Sequence, residues 1–341
     1  MKQNHKKHPL ETTLVILLFV FVAITLSCML LFRKALTNSI VTNSYQSNRV
    51  KSHYVFIGND YTNPFMEQLY QGIRASAEKK EVSVEYFGRT LSQSYTVAQL
   101  IDTASKAKVD GIFVVGDESG EVKEAINRAV EANIPVITVF QDCGMSKRQC
   151  FVGVNSYDLG RQYAKKLCSL GEKSNKNVYL LINAAQENSG KNSVYLGMKE
   201  YLEKEGITGR IQLHDLAIQS KTEFTSDELI RELILDKSKN PDIIICLNSI
   251  DTTCAYQAIV DYNKVGQIQI LGWGNTDSIL TALDKELISA TIFTDAALIG
   301  SQCIQSMLEY KREGYVSQYI PITTTTIDST NIKEYLGDER R

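Results

Sequence analysis

From His53 to Glu313 the chain alternates short β-prone runs with longer segments of helical periodicity, and this alternation constrains the fold most. The first run, His53-Tyr54-Val55-Phe56-Ile57, is followed by residues 65–80, where Phe65, Leu69, Ile73 and Ala77 recur at helical spacing. Strands are expected at 82–87, 111–115 and 135–140, and helices at 96–107 and 120–132. A second round follows, with strands at 151–154, 178–182, 211–216, 243–247, 268–272 and 290–293. Helices at 159–170, 193–205, 224–235, 252–262, 278–285 and 297–313 separate them. A threonine-rich extended stretch, 321–327, closes the pattern. Such alternation predicts an α/β protein with parallel sheets covered on both faces, and the two rounds predict two doubly wound parallel-sheet lobes. In open sheets of this kind ligands lie beyond the carboxyl ends of the strands, so the natural site is the cleft between the lobes.

Ahead of this pattern, residues 14–32 read LVILLFVFVAITLSCMLLF without a charge. As a helix the run would reach about 28 Å, close to the hydrocarbon thickness of a bilayer. Lys2, Lys6 and Lys7 precede it, and Arg33 and Lys34 follow. This small excess favours a cytoplasmic tail (1–13), a single transmembrane helix (14–32), a polar linker (33–52) and a globular part outside the cytoplasm. A cleaved signal peptide is the rival reading, but the run is long for one and no small-x-small site follows it. A lipoprotein signal at Cys28 is a third, with Ser27 the small residue before the cysteine and Met29-Leu30-Leu31-Phe32 continuing the apolar run.

The charge is nearly balanced, 37 Lys and Arg against 39 Asp and Glu, with no basic stripe beyond the juxtamembrane residues. Nucleic acid is therefore not an expected partner. Four histidines, two of them ahead of the apolar run, supply neither a metal centre nor a histidine base, and no cofactor or catalytic residue is expected. Of seven cysteines, Cys143 and Cys150 flank a polar loop, and in an exported protein a disulfide between them and two separate thiols are both open readings. Cys168, Cys246, Cys254 and Cys303 read as buried thiols.

Several phrases, in order and spacing, resemble one family. Asn63-Pro64-Phe65 follows the first strand, with Gly72 further along the helix. Ile134-Pro135-Val136-Ile137-Thr138-Val139 and Phe151-Val152-Gly153-Val154-Asn155 come next, then Asn248, Ile270-Leu271-Gly272-Trp273 and Ala290-Thr291-Ile292. Over residues 53–330 the chain is similar to the type I periplasmic binding proteins of the ribose/galactose/xylose class, in a membrane-anchored form. The resemblance implies a three-crossing hinge near Val154, Thr294 and 322–327. It divides the chain into an N-terminal lobe (53–154 plus 295–321) and a C-terminal lobe (155–294 plus 322–341). It also implies a sugar or other small polyhydroxy ligand on which the lobes close, and delivery to an ABC permease or signalling to a histidine kinase, at a Gram-positive cell surface.

The ligand residues implied are Tyr61, Asn63, Phe65, Gln141, Asp142, Asn192, Asn248, Trp273, Asn275 and Thr294. Amides suit arrays of hydroxyls, and aromatic faces suit the apolar side of a sugar ring. Four of these, Tyr61, Asn63, Phe65 and Trp273, also have a plainer reading. Asp60 and Tyr61 fit loop chemistry, Asn63 an N-cap before a proline, and Phe65 and Trp273 core packing. The chain also departs from the family pattern. Phe140 stands where a ligand aspartate is common, Gln141 where an arginine often follows it, and Gly274-Asn275 where Asp-Gly is usual. The expected pocket is rich in amides and poor in charge. Two other functions stay open: a receptor that binds a protein partner in place of a solute, and a surface hydrolase, for which no G-x-S-x-G elbow is present.

Overall fold

The computed structural model describes residues 23–29, 52–91, 93, 95–117, 119–170, 176–183, 190–207, 209–218 and 223–336. Residues 1–51 and 52–341 form separate units. Among the described residues no helix is long and apolar enough to cross a membrane. The expected anchor at 14–32 lies outside them except for 23–29, which is helical.

The second unit begins with β1 (Ser52–Ile57), α1 (Pro64–Glu78), β2 (Val82–Tyr86), α2 (Val97–Lys106), β3 (Gly111–Val114), α3 (Gly120–Glu131), β4 (Val136–Phe140) and β5 (Cys150–Gly153). It continues with α4 (Ser156–Ser169), β6 (Lys176–Asn183), α5 (Gly190–Lys204), β7 (Ile211–Ile218), α6 (Glu223–Leu235), β8 (Ile243–Cys246), α7 (Ser249–Asp261), β9 (Gln269–Trp273), α8 (Asp277–Asp284) and β10 (Ala290–Thr294). It ends with α9 (Ala296–Glu313), β11 (Tyr319–Pro321), β12 (Thr324–Asp328) and a 3₁₀ turn at Ile332–Glu334.

These strands form two six-stranded sheets of matching order, β2-β1-β3-β4-β5-β11 and β7-β6-β8-β9-β10-β12. Three segments pass from one sheet to the other: between β5 and α4, between β10 and α9, and between β11 and β12. The expected extended stretch at 321–327 therefore splits, its start ending a strand of the first sheet and its end lying in the second. One strand departs from the parallel expectation, because β12 runs antiparallel to β10, with Ile292 opposite Thr326. It follows β11 directly, without the helix that a parallel crossover needs.

Both faces of the central strands are buried, as parallel sheets require. Tyr54 and Phe56 enter one core with Leu69, Ile73, Ile304 and Met307, while Val55 and Ile57 enter another with Leu100, Ile101, Val122 and Ile126. The second lobe repeats this plan, with Tyr163, Leu180 and Met198 on one face and Ile230, Ile244 and Ile259 on the other. In each lobe two helices cross in close contact at glycine. A Cβ on Gly72 would collide with the Ala296 backbone and one on Gly300 with the Gly72 backbone, and Gly160 and Gly197 play the same part between α4 and α5.

The cysteine pair, open between two readings in the sequence, resolves to thiols. No disulfide joins Cys143 to Cys150. The two side chains lie in different cores on opposite faces of the first sheet, Cys143 under α2 and α3 and Cys150 under α1 and α9. Burial pushes the Cys150 thiol up to about 11, so it is protonated at neutral pH.

Candidate functional site

The strand order places the switch point of each sheet beside its first strand, β1 in one lobe and β6 in the other. The loops at the carboxyl ends of β1, β4, β8, β9 and β10 carry most of the expected ligand residues. Their short polar side chains are largely occupied by the chain itself. Asn63 is the N-cap of α1, its Oδ1 accepting from the Phe65 amide at 3.0 Å, with Pro64 in the first turn. Asp60 accepts from the Thr62 amide and hydroxyl, an ordinary Asx turn. Tyr61 is exposed, and its hydroxyl donates to the Phe87 carbonyl at 3.0 Å.

Asn248 caps α7. Its Oδ1 accepts from the Asp251 amide at 2.8 Å, and its Nδ2 donates to Asp251 Oδ2. Burial raises the pKa of the Asp251 carboxyl, opposed by hydrogen bonds from Ser226 and Asn248. Asn192 lies on α5, its side chain outside the described residues. Asn275 is half-buried and follows Gly274, whose φ of 104° is open to glycine and which turns the chain out of β9.

Asp142 is engaged by the chain itself. Arg148 grips it in a fork, with the guanidinium 2.6 Å from Oδ2, and the Thr138 hydroxyl and Cys143 amide bond its other oxygen. Arg148 also donates to the Gln318 carbonyl at 2.9 Å, just ahead of β11. This ion pair closes the loop for which a disulfide is one of two open readings in the sequence.

Three rings meet across the lobes. Phe65 stands on α1 and Phe140 ends β4, both in the first lobe, while Trp273 ends β9 in the second. Ring centroids are 4.7 Å apart for Phe65 and Phe140, 5.8 Å for Phe140 and Trp273, and 6.5 Å for Phe65 and Trp273. Phe65 and Trp273 are only 4% and 2% exposed. The Trp273 backbone is fixed by the buried Thr252 hydroxyl, which accepts from its amide at 2.9 Å. Two of the expected aromatics are thus brought together, and Phe140 joins them although it was not among the expected ligand residues.

Phe140 is unusual in its backbone. Its φ is +64°, and the Gln141 amide bonds the Val139 carbonyl at 2.7 Å, which makes Phe140 the centre of a left-handed γ-turn. A bulky residue there costs about 1–3 kcal/mol and persists only where its surroundings over-determine it. Here Gly116 donates to the Gln141 carbonyl, Asn59 donates to the Gln141 side chain at 3.1 Å, and Arg148 holds Asp142. Asn59 is a cleft residue the sequence reading missed; its one signal was its place after the first strand. Thr294 ends β10 at the second crossing, 3% exposed, with a hydroxyl that has no hydrogen-bond partner among the described residues.

A cavity of about 250 Å³ lies elsewhere, at the amino ends of β6, β7 and β8, lined by Leu167, Ile207, Ile211, Ile243, Lys176 and Arg210. It sits at the far end of the strands from the rings.

Residues 54–314 match the model of the periplasmic binding protein domain. No curated protein matches the chain. Among solved structures, the chain is similar to GanP, a glucose-galactose binding protein from Geobacillus stearothermophilus, at 20% identity over 82% of this chain and 98% of that one, with a TM-score of 0.73. It is also similar to XylFII, solved alone and in a complex with LytSN, at 24% identity over 82% and 99%, with a TM-score of 0.71. A solute binding protein from Burkholderia graminis in complex with D-arabinose aligns at 17% identity over 84% and 98%, with a TM-score of 0.73. At these identities the likeness shows the shared fold.

Proposed function

Because the chain belongs to the periplasmic binding protein domain family, whose members bind solutes and are not enzymes, we propose that it is an extracytoplasmic receptor for a neutral sugar or similar polyhydroxy ring. The observation that carries this reading is the meeting of Phe65, Phe140 and Trp273 at the carboxyl ends of two sheets joined by three crossings. Aromatic faces there suit the apolar side of a sugar ring, and amides suit its hydroxyls. Of the expected residues, Phe65, Gln141, Trp273, Asn275 and Thr294 are the ligand contacts we propose, with Asn59 added. Tyr61, Asn63, Asp142 and Asn248 support the cleft walls, since their polar atoms already bond the chain. A charged ligand is disfavoured because two acidic groups that follow β4 and β8, Asp142 and Asp251, are spent on Arg148 and on Asn248.

The apolar run at 14–32 would hold the receptor at the membrane, and ligand would draw the lobes together about the crossings. The XylFII structure in complex with LytSN favours a second element, a partner protein that reads the lobe state, such as a membrane histidine kinase in place of an ABC permease.

A thermal-shift screen of residues 45–341 against pentoses, hexoses, polyols and furanoses tests the solute reading. A ligand at a hundred times its Kd should raise Tm by about 5 °C or more. A flat screen on folded protein would overturn it in favour of a receptor for a protein partner. Capture of permease subunits alone by the full chain would overturn the kinase reading.

A further inference from the structure

We infer that Phe140 is a positioning residue that clasps the two lobes to each other through Trp273, so that part of the lobe-closing force is built into the protein. This inference rests on the two-lobe receptor reading and concerns what holds the lobes together. Three independent features carry it.

The first is where the ring lies. Phe140 belongs to the first sheet, yet it packs against the apolar cores of both lobes. Its centroid is 4.7 Å from Phe65 on its own side and 5.8 Å from Trp273 on the other. Tilted contacts at these separations are attractive beyond the area they bury.

The second is the backbone. A strand that simply ended at Val139 would need no left-handed aromatic. The γ-turn at Phe140, with φ of +64°, ends β4 at the residue whose ring meets Trp273 of the other lobe. Strain of this kind marks positions where geometry serves a purpose.

The third is the clamp behind the turn. Gly116, where a Cβ would clash with the backbone of residues 141 and 142, lets the segment after β3 press against it. Asn59 holds Gln141, and Arg148 and Thr138 hold Asp142. Arg148 continues to Gln318, so the clamp also reaches the segment leading to the third crossing. The ring therefore rests on a rigid base, while Trp273 rests on Thr252 in the opposite lobe. Rigid supports on both sides make ring contact sensitive to lobe spacing.

The chain has a single tryptophan, Trp273, which reports on this contact directly. The test is acrylamide quenching of its fluorescence in the full chain, without added sugar, for the wild type, Phe140→Ala, Phe140→Gly and Phe140→Tyr. The clasp predicts a shielded Trp273 in the wild type, quenching severalfold stronger in both F140A and F140G, and restoration by F140Y. Small-angle scattering on the same samples should show a larger radius of gyration for F140A and F140G. Equal shielding in all four proteins overturns the inference, and so does a wild-type Trp273 quenched as readily as in the variants. If a variant loses its cooperative thermal transition, F140G, which relieves the backbone strain, decides the matter alone. A failed clasp leaves the sugar screen unaffected, and a flat sugar screen leaves the quenching result standing.

Discussion

Phe140 separates two effects that are usually entangled, the loss of a side chain and the relief of a backbone. Phe140→Ala removes the ring and keeps a Cβ in the left-handed region, whereas Phe140→Gly removes the ring and the strain together. F140G should therefore be the more stable of the two by about 1 kcal/mol in urea unfolding, although glycine elsewhere costs stability relative to alanine. The reverse order would mean that the turn is not left-handed in solution. Asp328 offers a second residue-scale test. Burial works against its charge, but the Lys166 ammonium at 2.6 Å and the Thr330 hydroxyl and amide outweigh that, and its pKa falls to about 2. A carboxyl lowered from 3.8 contributes stability above about pH 4 and loses it as the pH falls through 2. Wild type should thus exceed Asp328→Asn in Tm at pH 6, and the gap should narrow between pH 4 and pH 2. A gap that stays constant over that range would remove the pair from the account.

Among the elements, the helix pairs decide how tightly each lobe is built. Gly300 lets α9 lie against the α1 backbone, so Gly300→Ala must push the helices apart. The cost should be about 1–3 kcal/mol, the usual range for overpacking, and a midpoint shift with unchanged m-value would register it. A neutral substitution would show that the crossing has slack. Most elements were legible as patterns, because amphipathic periodicity is local. Helix starts were less so. The helix expected from 159 begins at Ser156, and the one expected from 252 begins at Ser249. In both cases an asparagine, Asn155 or Asn248, caps the first turn, a signal that is present in the sequence but ambiguous beside a ligand role. The threonine tract from 323 reads as extended, yet only pairing with β10 makes it the antiparallel edge of the second sheet.

At the scale of the molecule, alternating strands and helices determined an α/β chain of two lobes, since a run buried on both faces has to be a covered parallel strand. The amino-acid sequence also placed Gln141 and Trp273 at strand ends and Phe65 at the start of the first helix. Only the tertiary structure decided which of those side chains are available. Asn63 and Asn248 turned inward to helix ends because unpaired amides there need partners. Asp142 was claimed by Arg148, six residues on, and the disulfide left open by the sequence does not form because its two cysteines fall on opposite faces of one sheet. The clasp depends most on tertiary structure. Phe65, Phe140 and Trp273 come from three distant segments and two lobes, and a left-handed backbone at phenylalanine has no local signature. Local periodicity reports which face of an element is apolar; contacts between lobes depend on how complete sheets stack, and no short window of sequence encodes that.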